Sequence, residues 1–468
     1  MKFVPPLTTS ITYTPMDGSS FSEPKHTVLI YGATSYTARL LIDYLSDHPE
    51  RKQFTFALAG RNPDKLKKLV QELHRDGEDG DEDSTKWIAC SLEETEEGRK
   101  RVAEMVADAA VVINLAGPYS KHNAEMLVRA CAELGRHYVD LTGETFWIKE
   151  MIEKYDYLAS KTHAIIVPSC GFDSIPSDIL AYKSAQHLAK IGKSSDAHIE
   201  LSQTFFNAKG GVSGGTIASF KALSETDPYR VKRGMGEYAL VTTGASRGVS
   251  SIGIRPYYTN PFIPAHGSFF VMGPVNSAVV RRSWALFRAQ QRMAPDAKTV
   301  SYGDDFTYSE SQVFDKRGGL GSRLVAWVVG LLLTIGLAAI MKSRILRAVF
   351  FRIAPQPGSG PDEKTLHGGW LEGTNVSKSS SQHVVVSTIT GQGDPGYWLT
   401  SRMLVESALA LTLSHDRLSP MAKQGGVLTP AVAFGDVIID RLNATKEFEI
   451  KSMTLDEWRK NRESKKNV

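Results

Sequence analysis

The 468-residue chain has few of the residues and patterns that mark several common classes of protein. It contains only three cysteines, Cys90, Cys131 and Cys170, and none of them lies in a CxxC pair. Such a set cannot form a disulfide framework, which indicates a reducing compartment. The N-terminus lacks a basic stretch followed by an apolar run, so no secretory signal is predicted and residues 1–24 are expected to form a flexible lead-in.

The chain also lacks an excess of charge of either sign. Its formal net charge is +4 and 23% of its residues are charged, without a block of Lys and Arg or an interleaving of basic and aromatic residues. Nucleic acid is therefore not an expected partner. No cluster has the spacing of metal ligands, so no metal site is predicted. Because the length exceeds what one hydrophobic core usually supports, two domains are expected.

The first half opens with an apolar run that ends in a turn of small residues. Residues 27–31 have strand character, Gly32 permits a sharp turn, and a helical pattern is established by Leu40. This order is typical of a dinucleotide-binding unit, in which the N–H groups at a helix N-terminus bind a pyrophosphate. A plain buried strand and helix is the alternative. The cofactor-binding residues predicted here are Gly32, Thr34, Ser35, Tyr36 and Thr37.

Two positions in this turn depart from the usual glycine-rich fingerprint. Ser35 and Ala38 stand where glycine is common. Ala38 is a mild change, since that position needs only a small residue for packing of the helix on the strand. Ser35 is the larger change, because its Cβ would crowd a phosphate, although its hydroxyl is able to donate a hydrogen bond.

A second buried strand is predicted over residues 54–59, followed by Gly60 and Arg61. Asn62 suits a helix N-cap and Pro63 the first helical position. The tip of this strand meets the adenosine ribose in a Rossmann domain, where an acid favours NAD and a cation suits the 2′-phosphate of NADP. Arg61 therefore predicts NADP in preference to NAD. The alternative is that Arg61 only ends a strand in solvent.

Strands and helices alternate up to residue 174, with further strands predicted over 87–90, 111–115, 137–141 and 164–168. This rhythm predicts a parallel sheet with helices on both faces, whose ligands lie beyond the carboxyl ends of the strands. Four residues at the end of the 111–115 strand and just after it are expected to bind the nicotinamide half of the cofactor or to lie beside it, namely Asn114, Ala116, Gly117 and Pro118.

Candidate proton donors also fall on this edge. They are Tyr119, Asp140 and Asp173, with Glu144 beside them. Reduction by a nicotinamide needs such a donor close to the acceptor. Turn capping or hydrogen bonding in the core explains each of these residues equally well, so the sequence does not rank one as the catalytic acid.

Together these motifs resemble those of saccharopine dehydrogenase-like oxidoreductases. The similarity is greatest to the lipid-associated branch that includes the bacterial trans-acting enoyl reductases, and it covers nearly the whole chain. The family turn is normally G-A-T-G-[FY]-T-G, from which Ser35 and Ala38 depart. The motifs that carry the resemblance occupy residues 31–40, 59–62, 114–119, 138–144, 170–178, 210–216 and 425–431.

The resemblance implies an NADP-dependent reductase that acts on a lipid or a lipid-linked enoyl or keto group. Two alternatives remain, a catalytically weak or inactive scaffold and a soluble amino-acid oxidoreductase of the saccharopine dehydrogenase type. The resemblance also implies that residues 425–445 return to the nucleotide-binding domain of residues 25–174. A homodimer is a possible assembly of the chain.

After residue 174 the pattern changes. Strands are predicted over 197–206, 267–272, 307–314 and 383–390. The predicted fold class is therefore α/β, with a Rossmann-type parallel domain and a second, α+β domain over 175–424 that has a mostly antiparallel sheet. A helix over 399–413 is expected to pack on this second domain, and residues 446–468 are expected to form a polar tail.

One long hydrophobic run interrupts the second domain. Residues 324–341 carry no charge, and as a helix they would be about 27 Å long, just short of a hydrocarbon core of ~30 Å. Cations bracket the run, and they are Arg323, Lys342, Arg344, Arg347 and Arg352. We expect it to enter one leaflet on the cytoplasmic face of the endoplasmic reticulum or of a lipid droplet. A buried core helix is the alternative.

Overall fold

The structure, a computed structural model, describes residues 24–75, 86–192, 198–211, 214–234, 236, 238–242, 255–294, 300–314, 320–354 and 360–464. The predicted N-terminal lead-in therefore lies outside the described residues, apart from Pro24. Part of the glycine-rich 210–216 segment and the last four residues of the predicted tail also lie outside them.

Strands and helices alternate from the first described residues to the end of α6. The elements are β1 (His26–Tyr31), α1 (Tyr36–Ser46), β2 (Phe56–Gly60), α2 (Pro63–Arg75), β3 (Lys86–Ala89), α3 (Glu96–Ala107), β4 (Ala109–Asn114), α4 (Glu125–Leu134), β5 (His137–Asp140), α5 (Thr145–Thr162), β6 (Ile165–Val167) and α6 (Ile175–Ile191). The predicted cap of α2 is confirmed, since the side chain of Asn62 accepts a hydrogen bond from the Lys65 N–H at 2.9 Å.

The next part of the chain mixes strands with longer helices. Its elements are β7 (Ile199–Lys209), α7 (Gly214–Glu225), α8 (Pro228–Gly234), β8 (Tyr257–Thr259), β9 (His266–Ser268), α9 (Gly273–Met293), β10 (Thr307–Gln312), α10 (Leu320–Lys342) and α11 (Arg344–Ile353). The last part contains α12 (Glu363–Gly368), β11 (Trp370–Ser379), β12 (Val384–Gln392), α13 (Trp398–Thr412), α14 (Pro420–Lys423), β13 (Gly426–Val427), α15 (Pro430–Phe434), α16 (Asp436–Ala444), β14 (Phe448–Thr454) and α17 (Leu455–Ser464).

The first sheet has the strand order β13-β6-β5-β4-β1-β2-β3. Its strands pair in parallel throughout. The order reverses between β1 and β4, which is the place where a doubly wound sheet binds a dinucleotide. The predicted Rossmann-type sheet is therefore confirmed. β13 lies within the 425–445 segment and adds to the edge of this sheet beside β6.

The second sheet has the order β14-β12-β11-β7-β10-β9-β8 and is antiparallel except for the β10–β7 pair. This confirms the predicted α/β fold with a second, mostly antiparallel sheet. One detail of that prediction is wrong. The 267–272 strand is shortened to β9, because the chain turns between Phe270 and Gly273 into α9, where Pro274 occupies the first turn.

The expected polar tail also needs correction, because it contributes β14 to the edge of the second sheet. Phe448 and Ile450 are buried, whereas Glu449 and Lys451 are exposed. This alternation is that of a strand with one face on the core. The charged residues between the apolar ones gave the segment its polar composition.

Helix α13 lies in a different place from the one expected. It packs mainly on β4, β5 and α1 of the first unit, while its first turn reaches the second sheet, where Leu399 lies beside Gly391 of β12. Met403 and Leu404, further along the helix, are fully buried. The physical reason is that a parallel sheet needs helices on both faces, and α13 completes the cover of one of them. Helix α6, in turn, packs on β11 and β12.

Helix α10 is long enough and apolar enough to cross a membrane, yet only 11% of its apolar window is buried. Its buried residues are Ser322, Ala326 and Gly330. Leu324 and Leu332 are 64% and 65% exposed. A buried core helix, one of the two interpretations of the 324–341 run, is therefore wrong. Helix α11 follows after Ser343 and contains no buried residue.

Asp178 joins three helices that connect the two units. Its carboxylate accepts hydrogen bonds from the Ser283 hydroxyl at 2.6 Å and from the Ala431 N–H at 2.8 Å. Burial raises the pKa of Asp178 from 3.8 to about 7. A carboxyl with a higher pKa in the folded chain stabilises the fold at low pH, and that contribution is lost as the pH rises through about 7.

We predict that Asp178→Asn flattens the pH dependence of stability. Asparagine keeps an oxygen that accepts from Ala431 but loses the titration, worth roughly 1.4 kcal/mol of unfolding free energy for each pH unit in this window. Thermal melts between about pH 5 and about pH 8 should show a smaller fall in Tm for this variant than for the wild type. The exposed Asp47→Asn is the control and should follow the wild type. Parallel curves for the wild type and Asp178→Asn would contradict the prediction.

Candidate functional site

The turns after β1 and β4 meet at Gly32. Its φ of +81° lies in the left-handed region, and a Cβ built there would come 2.9 Å from the Ala116 nitrogen and 2.9 Å from the Leu115 carbonyl carbon. Both neighbours are backbone atoms, which do not rotate away. Only glycine therefore allows the two turns to approach so closely at the crossover of the sheet.

Ser35 fits its position without glycine. Its φ of −75° and ψ of 160° are ordinary extended values, and its Oγ accepts a hydrogen bond from the Ala38 N–H as the N-cap of α1. Ala38 is fully buried, as close packing of the helix on the strand requires. The two departures from the glycine-rich fingerprint are thus accommodated, one as a cap and the other in the core.

The N-terminus of α1 keeps unused backbone donors. Among the residues that the structure describes, the N–H groups of Thr34, Tyr36 and Thr37 donate to no acceptor. Such a set of N–H groups at the positive end of a helix fits a pyrophosphate. The side chain of Tyr36 points away, since its hydroxyl donates to the Pro361 carbonyl and its ring packs edge-on against Tyr397. Only the backbone of Tyr36 faces this set of N–H groups.

Arg61 lies at the other side of the crossover, exposed at the end of β2. Within the described part of the chain its guanidinium has no ion-pair or hydrogen-bond partner. It is within electrostatic range of Tyr31, whose hydroxyl donates to the Cys90 carbonyl at 2.9 Å. The position is that of the ribose-recognising residue in a Rossmann domain.

Asn114 is fully buried and shapes the turn after β4. Its side-chain amide donates to the Tyr138 hydroxyl at 3.0 Å, and its oxygen accepts from the Ala116 N–H at 3.0 Å. The next residues, Gly117 and Pro118, are joined by a cis peptide bond and are accessible. Asn114 therefore holds the turn from inside, whereas Ala116, Gly117 and Pro118 face the rim.

Tyr119, the first proton-donor candidate, is engaged in the core. Its hydroxyl donates to the Asn114 carbonyl at 3.0 Å and accepts from the Leu141 N–H at 3.1 Å. Its own N–H and that of Ser120 donate to the Glu144 carboxylate at 2.8 and 3.1 Å. Tyr119 and Glu144 thus fasten the turn after β4 to the turn after β5.

Asp140, the second candidate, is fully buried. Its carboxylate accepts hydrogen bonds from the N–H groups of Thr142 and Ser169 at 2.9 and 3.0 Å and from the Tyr138 hydroxyl at 2.9 Å. Burial raises its pKa to about 7. With three donors already directed at it, Asp140 holds the turns after β5 and β6 together.

Asp173, the third candidate, is placed differently. It is partly accessible, and among the described residues its carboxyl has no hydrogen-bond partner. Burial nevertheless raises its pKa to about 6. It lies in a region where the two units meet, which we call the rim cleft and define by the partly accessible residues Gly143, Phe172, Asp173, Met272 and Gly273. A Cβ on Gly143 would lie 3.7 Å from the Met272 methyl.

A residue that the sequence did not reveal lies behind this cleft. Glu310, on β10, is 5% exposed, and its Cγ would lie 3.6 Å from a Cβ on Gly273. It accepts hydrogen bonds from Ser177 at 2.8 Å, Asn276 at 2.7 Å and Tyr308 at 2.9 Å. The only sequence signal was a glutamate inside a predicted strand, which by itself suggests a solvent-facing position.

Burial, with a smaller contribution from the nearby Asp173 carboxyl, raises the pKa of Glu310 to about 7. The buried Glu310 and the partly accessible Asp173 thus lie near each other where the second sheet approaches the rim. Such an arrangement favours keeping a proton on one of the two carboxyls at neutral pH.

The parallel sheet, its crossover turn and the rim cleft define a two-unit, dinucleotide-binding protein of the oxidoreductase type. Comparison with known proteins agrees with this class. Residues 28–167 match the saccharopine dehydrogenase NADP binding domain.

Two bacterial relatives match over most of the chain. A putative trans-acting enoyl reductase of Mycobacterium tuberculosis is 32% identical over 438 residues, which cover 89% of this chain and 95% of the relative. A trans-acting enoyl reductase of Mycobacterium ulcerans is 30% identical over 443 residues, covering 91% and 97%. The chain belongs to this family of saccharopine dehydrogenase-like oxidoreductases, and its first domain is of the nicotinamide dinucleotide-binding kind.

Among solved structures, the saccharopine dehydrogenase (L-Glu forming) of Saccharomyces cerevisiae is similar to this chain. The TM-score is 0.48 at 12% sequence identity, with 92% of this chain and 99% of the yeast chain covered.

We predict that Gly32→Ala weakens dinucleotide binding and destabilises the fold. A left-handed backbone costs an alanine about 1–2 kcal/mol, and the clash with Ala116 adds to this by separating the two turns. Calorimetric titration with NADPH and thermal unfolding measure the two effects. Gly336→Ala is the matched control, because a Cβ there would have nothing within 4 Å. Wild-type affinity in Gly32→Ala would show that the close approach of the turns is not needed.

Proposed function

We propose that this protein is an NADP-dependent reductase that acts on a lipid or lipid-linked enoyl or keto substrate at the surface of a membrane or lipid droplet. The observation that carries the proposal is the connection between α10 and the rim cleft. A Cβ on Gly330 of α10 would lie 3.2 Å from the Ser268 Cβ on β9. Ser268 pairs with Gln312 on β10, two residues from Glu310. The exposed apolar helix is therefore one strand away from the strand that carries Glu310.

The residues that would hold the cofactor are those of the rim. The free N–H groups of Thr34, Tyr36 and Thr37 would bind the pyrophosphate, with the Ser35 hydroxyl beside them. Arg61 would pair with a 2′-phosphate, which supports NADP over NAD. A bound reduced nicotinamide supplies a hydride, and Ala116, Gly117 and Pro118 leave the rim open on that side.

The rim cleft supports an uncharged acceptor. Phe172 lies against Phe206 and Phe270 with ring centroids 5.9 and 6.3 Å apart, so one wall is aromatic. The charged side chains nearest to it are Asp173 and, buried behind it, Glu310. An amino-acid substrate with several carboxylates needs cations to bind it and would be repelled here. A long acyl chain with an enoyl or keto group fits this combination better.

The membrane part of the proposal rests on exposure and charge. The ten Leu, Ile and Val residues of 324–341 would favour insertion by roughly 3–6 kcal/mol, at about 0.3–0.6 kcal/mol each. Four more exposed apolar residues continue the surface on α11, namely Ile345, Leu346, Val349 and Ile353. Lys342, Arg344, Arg347 and Arg352 lie among them and can reach lipid phosphates.

One-leaflet insertion fits the fold better than a full span. The chain on both sides of α10 belongs to the same sheet, with β10 before it and β11 after it. Both globular units would then stay on the same side of the membrane. The three cysteines are buried and unpaired, which favours the reducing, cytoplasmic side. We therefore propose the cytoplasmic face of the endoplasmic reticulum or of lipid droplets as the location.

We predict that Arg61→Ala removes the preference for NADPH over NADH. Loss of a charge-assisted contact with the 2′-phosphate is worth about 1.5–3 kcal/mol, or roughly 10–100-fold in Kd for NADPH, with NADH affinity unchanged. Fluorescence titration with both cofactors measures it. Arg233→Ala, which removes an exposed cation paired with Glu153 on another face, is the control. Equal affinity of the wild type for both cofactors would overturn this part of the proposal.

We predict that the double variant Leu332→Arg with Ile335→Arg stays folded but leaves the membrane. Both side chains are exposed, 65% and 57%, so the fold does not depend on them. Each arginine at the centre of an inserted helix costs about 2.5–3.5 kcal/mol, so the two together cost about 5–7 kcal/mol and cancel the estimated gain. Liposome flotation should fall, and so should NADPH-dependent reduction of a long-chain α,β-unsaturated thioester in liposomes.

The control for this variant is Tyr157→Arg with Tyr229→Arg, which charges two exposed aromatic positions, 75% and 69% accessible, on the helical face of the first unit. This control should float and react like the wild type. Reduction of a short, water-soluble enoyl thioester should be unchanged in both double variants. If the wild type does not float with liposomes, membrane action is wrong. If Leu332→Arg with Ile335→Arg unfolds, the fold depends on the exposed face of α10, and the loss of flotation does not support membrane insertion.

A further inference from the structure

The side chain of Tyr36 ties the start of α1 to the second unit. Its hydroxyl donates to the carbonyl of Pro361 at 2.5 Å, although the two residues are 325 positions apart in the chain. Its ring packs edge-on against Tyr397, with ring centroids 5.6 Å apart. Gly360 lies under the same ring, since a Cβ there would overlap it. Two distant loops therefore fix the direction of the side chain at the first position of α1.

The loops that hold Tyr36 are also joined to each other. The Asp394 carboxylate accepts hydrogen bonds from the Gly211 N–H at 2.5 Å and from the Tyr397 N–H at 2.7 Å. Gly211 packs on Pro361, because a Cβ on this glycine would come 2.5 Å from the proline ring. We call these four residues the loop junction. Burial, followed by the Asp394 carboxylate, raises the pKa of Tyr36, so its hydroxyl keeps the hydrogen that it donates to the junction.

The backbone of Tyr36 belongs to the other side of this contact. Its N–H and those of Thr34 and Thr37 have no acceptor in the described part of the chain, and they lie at the positive end of α1. A pyrophosphate is the group that such a helix start binds in a dinucleotide-binding unit. Tyr36 thus offers a donor to the cofactor with its main chain, while its side chain is anchored away from the cofactor.

The anchor does not belong to the part of the chain that matches the NADP binding domain. That match covers residues 28–167. Gly211 follows β7, Pro361 precedes β11, and Asp394 follows β12, so the loop junction is built on strands of the second sheet. The donors for the pyrophosphate therefore depend on contacts that the nucleotide-binding domain does not supply by itself.

We propose that Tyr36 is a positioning residue for the cofactor, which orients the free N–H groups at the start of α1 toward the pyrophosphate through its anchor on the loop junction. This rests on the NADP-binding part of the proposed function. The dinucleotide site is then complete only when the second unit is in contact with α1.

Preorganisation is the physical reason for an effect on affinity. The first turn of a helix frays easily, and N–H groups that move before binding must be ordered by the ligand. Such ordering reduces the free energy of binding. The anchored Tyr36 keeps the first turn of α1 in one conformation before the cofactor arrives. A tyrosine that only stabilised the fold would affect all ligands of the site alike, which separates the two roles.

The test compares Tyr36→Phe and Tyr36→Ala with Tyr44→Phe in the full-length protein. Tyr44→Phe is the matched control, because it removes a hydroxyl of the same helix that donates to Glu406 at 2.6 Å, about two turns away from the free N–H groups. Calorimetry measures the binding of NADPH, of 2′-phospho-ADP-ribose, which keeps the pyrophosphate, and of adenosine 2′-monophosphate, which lacks it. Hydrogen exchange follows the peptide that covers residues 33–40.

We expect Tyr36→Phe to weaken the binding of NADPH and of 2′-phospho-ADP-ribose by roughly 2–10-fold, the range that one hydrogen bond gives. Tyr36→Ala, which also loses the ring contacts, should weaken both by about 10-fold or more. Adenosine 2′-monophosphate should bind all four proteins equally, since Arg61 is unchanged in them. Without ligand, the 33–40 peptide should exchange faster in both Tyr36 variants than in the wild type and in Tyr44→Phe.

An equal loss of affinity for all three ligands would overturn the proposal, because Tyr36 would then only support the fold. Affinity for NADPH that is the same in Tyr36→Ala as in Tyr44→Phe would overturn it too. A wild type that binds neither NADPH nor 2′-phospho-ADP-ribose would refute both this role and the cofactor of the proposed function. A wild type that binds NADPH but neither floats with liposomes nor reduces a thioester would refute the lipid reductase alone, and the binding data would still decide the role of Tyr36.

Discussion

The close approach of Gly32 to the backbone of Ala116 is the constraint on which the rest of the site depends. It brings the turns after β1 and β4 together at the crossover of the sheet, where neither turn can move without the other. The direction of α1, and with it the free N–H groups at its start, follows from this contact. Ser35 can then replace a glycine because it needs no unusual backbone conformation and caps the helix.

Much of this arrangement could be predicted from the sequence, because it depends on local signals. Turn residues such as Gly32 and Asn62 ended or began elements where expected, and the apolar runs between them identified the parallel sheet. Position on the rim was thus predictable, but the direction of a side chain was not. Asn114 and Asp140 lie at the ends of buried strands as expected, yet both point inward and accept hydrogen bonds from backbone N–H groups of the turns that follow.

The second sheet shows why the remainder could not be predicted. Strand β11 is central but polar, and its Asn375 is fully buried because it donates to Ser202, 173 residues earlier in the chain. Glu310 is buried for the same reason, with partners on α6 and α9. A polar residue becomes a core residue only when distant elements supply its hydrogen bonds, and no local pattern in the sequence records that.

Helix α10 is held against the edge of the second sheet. Gly330 has no side chain, and a Cβ there would lie 1.9 Å from the Pro256 carbonyl oxygen, so the helix is seated closely on the edge of the second sheet. The rest of its apolar surface faces outward and is costly to leave in water. The same edge leads through β9 to β10 and the rim cleft. Under the proposed function, a substrate dissolved in lipid would leave the bilayer beside the strand that carries Glu310, with the aromatic side chain of Phe172 on the cleft and the apolar helix outside it.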